Sequence, residues 1–236
     1  MTDTSNLTLP LLAAAQAQKH VTVNEALQRL DGVVQLTLRS RSEATPPGAV
    51  LEGECFGVPG GAVNAWAGRD GEVAQYVNGG WVFFTPKAGW RAFVADRGTT
   101  DLHDGSGWRA GGVSAAPGGA GMQVMTVEQD VAITAGGSVT AALSFPARSI
   151  VFGVTGRVTD EITGTLADWR LGDTSSDDRF GSGLGTAQNS WISGPVNPFV
   201  VWAPTPLLLT ANGGDFAGGT VRLALHYAAF TIPDAV

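Results

Sequence analysis

Residues 9–38 form the one stretch of this chain that is neither punctuated by glycine-rich turns nor strand-like. Apolar residues there recur at the spacing of one helical face, and they are Val23, Ala26, Leu27, Leu30, Val33 and Val34. Thr22 and Glu25 stand at the two reciprocal positions of a helix capping box. We therefore predict a helix over residues 23–36, preceded by a short helix or an extended arm over residues 13–19.

The apolar face of this helix needs a cover, because a lone terminal helix gains its stability from packing. The cover is either a sheet of the same chain or a neighbouring subunit, and the sequence leaves both open. In the second case the N-terminal part is an oligomer or particle interface. Its candidate residues are Leu9, Leu11, Leu12, Val23, Leu27, Leu30 and Val34.

The string AAAQAQKHVTVNEALQRLD, residues 13–31, is followed by a tryptophan- and glycine-rich segment up to about residue 111. Together they resemble the DUF2793 family of phage-related proteins from alphaproteobacteria. The resemblance implies a virion context, because that family occurs in tail-fibre and spike genes of prophages and in head spikes of gene transfer agents. It implies no particular chemistry.

Composition favours many short strands joined by tight turns. The chain has 33 glycines in 236 residues and only 15% charged residues, against about 25% in ordinary domains. The low charge favours surface buried between subunits. With a net charge of −7 and no cluster of Lys or Arg, the chain is predicted to bind neither nucleic acid nor anionic membranes.

Several other features restrict the possible chemistry. The single cysteine, Cys55, excludes an intrachain disulfide and a cysteine-based zinc site, and we expect no metal and no cofactor. Residues 1–8 show no secretion signal, and no apolar run approaches about 20 residues. We therefore expect a protein made in the bacterial cytoplasm, not inserted in a membrane, and carried on the surface of a virion or phage-like particle.

Residues 1–111 are predicted to form one DUF2793-like domain made of the arm, the helix and small β-hairpins. Asn78-Gly79 and Asp104-Gly105 each stand between a short strand and a strand that opens on tryptophan, as in type I′ hairpins. We expect Trp66, Trp81 and the two further tryptophans, Trp90 and Trp108, to fill a small core. The segment AGGVSAAPGGAG, residues 110–121, is rich in glycine and alanine and has no charge. We therefore predict that residues 112–121 are a linker.

Residues 122–236 show an all-β pattern of roughly seven or more strands, which predicts a β-sandwich or jelly roll. On the last strand Leu223 and Leu225 alternate with Arg222 and His226, giving one buried and one mixed face. The strings LTANGGDF (209–216) and VRLALHY (221–227) are similar to the C-terminal module that often follows DUF2793. The chain is thus predicted to be mainly β.

The best polar cluster is the segment 168–179, which we interpret as a loop on the rim of the sandwich. Aromatic rings stack on sugars, and Asp and Arg hydrogen-bond hydroxyls. The candidate glycan-binding residues are Trp169, Asp173, Asp177, Arg179 and Trp191. A merely solvated rim is the alternative. The paired carboxylates leave glycosidase chemistry open, but they do not alternate closely around a turn glycine as the ligands of a calcium loop do. Trp202 is expected in the core.

These observations predict a structural virion protein, a spike or fibre component that attaches through its N-terminal part. Its C-terminal sandwich would bind host cell-surface polysaccharide. The alternative is a base or adaptor that connects the particle to a separate receptor-binding fibre. A third hypothesis, a polysaccharide depolymerase, needs two carboxylates across a groove, for which Asp168, Asp173, Asp177 and Asp178 are the candidates. We predict a homo-oligomer that also contacts other virion proteins, and not an enzyme.

Overall fold

The computed structural model describes residues 3–13 and 19–235. The chain divides into two units, Met1–Pro117 (unit 1) and Gly118–Val236 (unit 2). The division falls inside the predicted linker, although part of that segment, Gly112–Ala115, is a strand. Residues 14–18, which belong to the predicted arm, lie outside the described residues.

Unit 1 contains a helix, a short 3-10 helix and short strands. In chain order they are α1 (Lys19–Val33), β1 (Thr37–Leu38), β2 (Cys55–Gly57), the 3-10 helix (Asn64–Trp66), β3 (Val73–Val77), β4 (Gly80–Phe84), β5 (Arg91–Val94), β6 (Thr99–His103), β7 (Trp108–Arg109) and β8 (Gly112–Ala115). Seven of these strands form one sheet in the order β4-β3-β2-β1-β5-β6-β7.

Helix α1 begins at Lys19, three residues before Thr22, which is the first residue of the predicted capping box. Thr22 therefore lies inside the helix, and the predicted capping box is wrong. The helix ends at Val33 and not at residue 36, because Gln35 adopts a left-handed φ of 53°. Leu36 then enters the sheet, where its carbonyl accepts a bond from the Phe93 N–H at 2.9 Å.

The predicted hairpin at Asn78-Gly79 is confirmed. It joins β3 to β4, and both turn residues have positive φ, 52° and 75°. The second hairpin differs from its prediction, because β6 and β7 are joined by four residues and not by Asp104-Gly105 alone. Trp66 is fully buried beside Phe56 and Trp81. Trp90 and Trp108 are partly buried against a second apolar cluster, so the four tryptophans pack in two small cores and not in the one expected.

Unit 2 contains eight long strands. They are β9 (Gly121–Ala132), β10 (Ser138–Phe145), β11 (Ser149–Gly164), β12 (Asp168–Asp173), β13 (Ser176–Leu184), β14 (Trp191–Val201), β15 (Thr205–Asn212) and β16 (Phe216–Thr231). Within the unit they form two antiparallel sheets, β10-β15-β12-β13 and β14-β11-β16-β9. This strand order is the connectivity of a jelly roll, so the predicted mainly β fold with a sandwich is confirmed.

The inner faces of the two sheets share one apolar core. Phe145, Leu171 and Leu209 come from the first sheet, and Val154 and Leu225 come from the second. Because side chains alternate along a strand, the other residues of the second sheet point away from this core. We call that side of β14-β11-β16-β9 the outer face. The predicted alternation on the last strand is confirmed there.

Candidate functional site

Trp169 does not lie on a rim. Residues Asp168–Asp173 form strand β12 and not a loop, and Trp169 is 0% exposed on its inner face. Its indole Nε1–H donates to the Gly185 carbonyl at 3.0 Å, which satisfies the buried donor. Trp169 therefore has no face to offer a sugar ring, and its predicted glycan-stacking role is wrong.

Asp173 is a buried turn-former and not a ligand of solvent-exposed sugar. Its carboxylate accepts hydrogen bonds from the backbone N–H groups of Ser175 and Ser176 and from the Arg179 Nε–H. Burial alone would raise its pKa, but the hydrogen bonds from Ser175, Arg179 and Ser176 outweigh burial and lower that pKa. The carboxylate is thus occupied by the β12–β13 turn, which removes it from the predicted site.

The other charged residues of the predicted cluster are also partnered. Arg179 binds Asp173 and places its guanidinium 4.7 Å from the centre of the Phe199 ring. Asp177 pairs with Arg170 at 3.1 Å, and Asp168 accepts a bond from Asn212. The segment 168–179 is therefore two paired strands closed by an Asp-centred turn, and it does not collect its carboxylates in one groove.

The β6–β7 loop of unit 1 repeats this Asp-centred turn. The Asp104 carboxylate accepts bonds from the N–H groups of Ser106 and Gly107 and from Arg109. Burial opposes ionisation of Asp104, but these hydrogen bonds outweigh it and lower its pKa. Both turns show Asp, then Ser two residues later, then an Arg five or six residues after the Asp. In both turns the carboxylate is thus taken up by backbone N–H groups and an arginine of the same loop or strand.

Trp191 is largely exposed, at 69%, and is thus the predicted stacking residue that can meet a sugar ring. It opens β14 on the outer face, and strand pairing places four residues in one row across the sheet: Trp191, Arg157, Arg222 and Asp130. The next row is Ser193, Thr155, Ala224 and Glu128. An exposed indole is therefore neighboured by guanidinium, hydroxyl and carboxylate groups from three other strands.

Residues of these two rows, without Ser193 and Asp130, line an open groove of about 390 Å³, here called the Trp191 groove. Its lining includes Trp191 and Arg157 on one side, Arg222 and Glu128 on the other, and Thr155 and Ala224 between them. The small Ala224 side chain lies between Arg222 and His226 on β16, which lowers the floor between longer neighbours.

The floor is held by a side-chain ladder next to the groove. The Thr155 hydroxyl lies 2.8 Å from His226 Nε2, and the Thr126 hydroxyl lies 3.2 Å from His226 Nδ1. These contacts join β11, β16 and β9 on the outer face. Thr155 is therefore oriented by His226 before any ligand arrives.

The two arginines of the groove differ in their partners. Arg222 makes a two-pronged contact with Asp130 at 2.7 and 2.8 Å, and Glu128 lies 3.7 Å away. Its hydrogen bond lowers the pKa of Asp130. Arg157 donates to the Asn189 carbonyl at 3.2 Å. Within residues 3–13 and 19–235 no carboxylate lies in ion-pair distance of Arg157.

Sequence reasoning missed Thr155, Arg157, Arg222 and Glu128 as groove residues. The mixed face of the last strand was visible in the alternation around Ala224. The partners of that face come from β9, β11 and β14, and alternation within one strand does not reveal which residues of other strands lie opposite. Register, and hence the groove, required the structure.

An apolar patch occupies the other end of the outer face. It comprises Val124, Phe152, Val200 and Phe230, together with Trp202 directly after β14. Trp202 is 78% exposed, so the prediction that it belongs to the core is wrong. The outer face therefore has a polar, grooved end and an apolar end.

Several residues of the apolar face that the sequence predicted for α1 are exposed among the described residues of unit 1. Leu12, Val23, Leu30 and Val34 are exposed, whereas Leu9, Leu11 and Leu27 are half-buried. Instead, α1 contacts the sheet through Gly32, packed against Gln75, whose amide donates to the Gln28 carbonyl at 3.1 Å. Within the described part of unit 1, the sheet therefore does not cover Val23, Leu30 and Val34.

Two further features bear on chemistry. Burial, with smaller contributions from Asp31 and Glu54, raises the pKa of the Cys55 thiol to about 12. In the part of the chain that the structure describes, no three His, Cys, Asp or Glu side chains are grouped to hold a metal ion. Nor does any helix there have the length and apolar character needed to cross a membrane.

Two comparisons with known proteins found similarity to this chain, one to a solved structure and one to a protein family. A chain titled "Cyanophage Pam1 capsid asymmetric unit" is 28% identical, with 49% of this chain and 92% of that chain covered and a TM-score of 0.37. No curated protein matches the chain. Residues 23–109, from within α1 to the end of β7, match the family described as "Protein of unknown function (DUF2793)", as the resemblance of the sequence implied.

Proposed function

We propose that this chain is a structural component of a phage-like particle, a spike or fibre of a phage or a gene transfer agent. The match of residues 23–109 to DUF2793 supports this proposal, since resemblance to that family implies a virion context. Unit 1 carries the matched region and the uncovered apolar face of α1. Unit 1 would therefore make the contacts within the particle.

Unit 2 would bind host cell-surface polysaccharide in the Trp191 groove. The observation that carries this proposal is the 69% exposed Trp191 indole beside a groove lined by charged and hydroxyl groups. A sugar ring stacked on the indole covers apolar surface, while its hydroxyls meet Glu128, Thr155 and Arg222. Jelly rolls occur in both capsid and lectin domains, so the proposal agrees by analogy with other uses of this fold.

Binding without cleavage is the activity that we propose. Glycoside hydrolysis needs two carboxyl groups across the scissile bond, one of which is a proton donor. In the groove the nearby carboxylates, Asp130 and Glu128, lie on the same strand and both face Arg222. The hydrogen bond from Arg222 lowers the pKa of Asp130, which makes Asp130 a poor proton donor.

The uncovered face of α1 would join copies of the chain. Exposed Val23 and Leu30 lie on the helix and exposed Val34 directly follows it, and burying them against a second copy stabilises both. Closed cyclic symmetry is the expected arrangement of such a homo-oligomer. Other virion proteins would contact the same end of the chain.

The adaptor alternative is favoured by a different observation, the apolar patch at the other end of the outer face. Exposed Trp202 and Phe230 would be stabilised by a covering protein, such as a separate receptor-binding fibre. In that case the patch, and not the Trp191 groove, would carry the function of unit 2.

Adsorption to host cells tests the glycan-binding proposal. Fluorescently labelled protein is expected to coat capsulated cells and to lose most of its binding to acapsular cells of the same strain. Equal adsorption to both would contradict a polysaccharide receptor. Immunogold labelling of particles released at lysis tests the location, and particles without label would contradict the virion proposal.

A further inference from the structure

We infer that the Trp191 groove selects acidic saccharides, with the guanidinium of Arg157 binding the carboxylate of a uronic or sialic acid unit. This inference rests on the proposed carbohydrate function and adds the chemical class of the ligand. It is carried by the arrangement of charge in the row that contains Trp191, Arg157, Arg222 and Asp130.

The first step is the unmatched charge of Arg157. Arg157 and Arg222 lie directly opposite each other on β11 and β16, and like charges in such positions repel. Asp130 and Glu128 compensate Arg222 from β9. Arg157 has no such partner among the described residues, so an anion placed beside it would relieve the repulsion.

The second step is that the Arg157 side chain is oriented before any ligand arrives. One of its terminal N–H groups donates to the Asn189 carbonyl at 3.2 Å. The Asn189 N–H is bonded to the Val158 carbonyl, and the Val158 N–H to the Ser190 carbonyl, each at 2.9 Å. This anchoring uses one of the five guanidinium donors, and the remaining donors suit the two oxygens of a carboxylate.

The third step is the position of Arg157 relative to the indole. Trp191 is its direct neighbour across β11 and β14, and Cβ atoms of such pairs lie about 4.5–5.5 Å apart. A sugar ring stacked on Trp191 would thus bring a ring carboxylate within reach of Arg157. Glu128 and Asp130 on the far side of the groove repel that carboxylate and favour the orientation toward Arg157.

The net charge of the chain makes this contact specific. At −7 the protein repels polyanions in general, so an acidic saccharide needs a local cation to be held. Arg157 is exposed, as a residue that receives a polymer at the surface must be. A neutral saccharide would leave the Arg157 charge unmatched and gain only stacking and hydroxyl contacts.

Calorimetric titration of the full chain tests the inference. The probes are oligogalacturonate, oligomannuronate and a sialylated oligosaccharide, each compared with its carboxyl-reduced, neutral counterpart. We expect at least one acidic probe to bind about 10-fold more tightly than its neutral form, as a charged hydrogen-bond pair contributes. Arg157→Gln should remove that difference, and Arg157→Lys should retain part of it.

Arg148→Gln is the matched control, because Arg148 is also an exposed arginine of unit 2 but lies outside the groove. Equal binding of acidic and neutral probes, or no effect of Arg157→Gln, would overturn the inference. If neutral probes still bind and Trp191→Ala abolishes that binding, the proposed carbohydrate function survives this failure. If no probe of either kind binds, the inference and the proposed function fail together.

Discussion

At the scale of single residues, Trp169 and Trp191 show how strand position decides the role of a side chain. Both tryptophans follow charged or polar residues in sequence and both were candidates for sugar stacking. Trp169 faces the inside of the sandwich, where its Nε1–H is satisfied by Gly185. Trp191 faces outward beside the groove. The two indoles therefore contribute to different properties, the first to stability and the second to binding.

Alanine substitution should separate those properties. Trp169→Ala is expected to lower the free energy of unfolding by about 3–5 kcal/mol, because it empties a large volume of the core. Trp191→Ala should change it by less than about 0.5 kcal/mol, as for other exposed positions. Urea unfolding, monitored by hydrogen exchange in peptides of unit 2, measures the free energy of unfolding of both variants. Equal losses for the two variants would contradict the assigned faces.

The carboxylate of Asp173 should make unit 2 sensitive to acid. Its folded-state pKa lies below the ordinary value of 3.8. Its contribution to stability is therefore present above pH 3.8 and is lost as the pH falls from there through the folded pKa. Asp173→Asn should lower stability at neutral pH and flatten this acid limb of the pH–stability curve.

The matched control is Asp160→Asn, which alters an exposed carboxylate of β11 in the same unit. It should leave the acid limb unchanged. Urea midpoints measured between neutral pH and about pH 3 compare the variants. An acid limb that is equally steep with and without Asp173 would show that its turn does not control acid stability.

At the scale of elements, short-range signals were readable in the sequence and long-range pairing was not. The Asn78-Gly79 turn and the alternation on β16 were predicted because both depend on neighbouring residues. The end of α1 was misplaced because Gln35, not a glycine, takes the left-handed conformation that ends the helix. The segment 168–179 was misread because its carboxylates form a turn with backbone N–H groups.

The apolar face of α1 should control self-association. If the chain forms the proposed homo-oligomer, Leu30→Asp is expected to convert it to monomer, because a charge replaces an exposed leucine of the proposed interface. Leu51→Asp is the control, since Leu51 is also an exposed leucine of unit 1 but lies outside the helix. Light scattering after size-exclusion chromatography gives the masses. An unchanged mass for Leu30→Asp, with unit 2 still folded, would exclude this face as the interface.

At the scale of the whole molecule, fold class followed from composition and pattern, whereas the site required register. High glycine content, low charge and regular alternation predicted the mainly β fold. Trp191 was the one predicted stacking residue that the structure leaves exposed. Arg157, Arg222 and Glu128 became its neighbours only through the pairing of β14, β11, β16 and β9, residues far apart in sequence.

Each end of the outer face corresponds to one of the two functions proposed for unit 2. These are glycan binding at the Trp191 groove and protein docking at the apolar patch. Trp191 and Trp202 represent these ends, and both indoles are largely exposed. Replacing either one with alanine should leave the sandwich folded. A matched pair of variants can therefore assign the function to one end.

The most direct measurement is retention of the full chain on immobilised capsular polysaccharide of the host, with released oligosaccharide measured in the same experiment. The account predicts that wild type and Trp202→Ala are retained, that Trp191→Ala is retained at least about 10-fold less, and that no sugar is released. Loss of retention with Trp202→Ala alone, or retention unaffected by Trp191→Ala, would contradict the groove as the binding site. Release of oligosaccharide would contradict binding without cleavage.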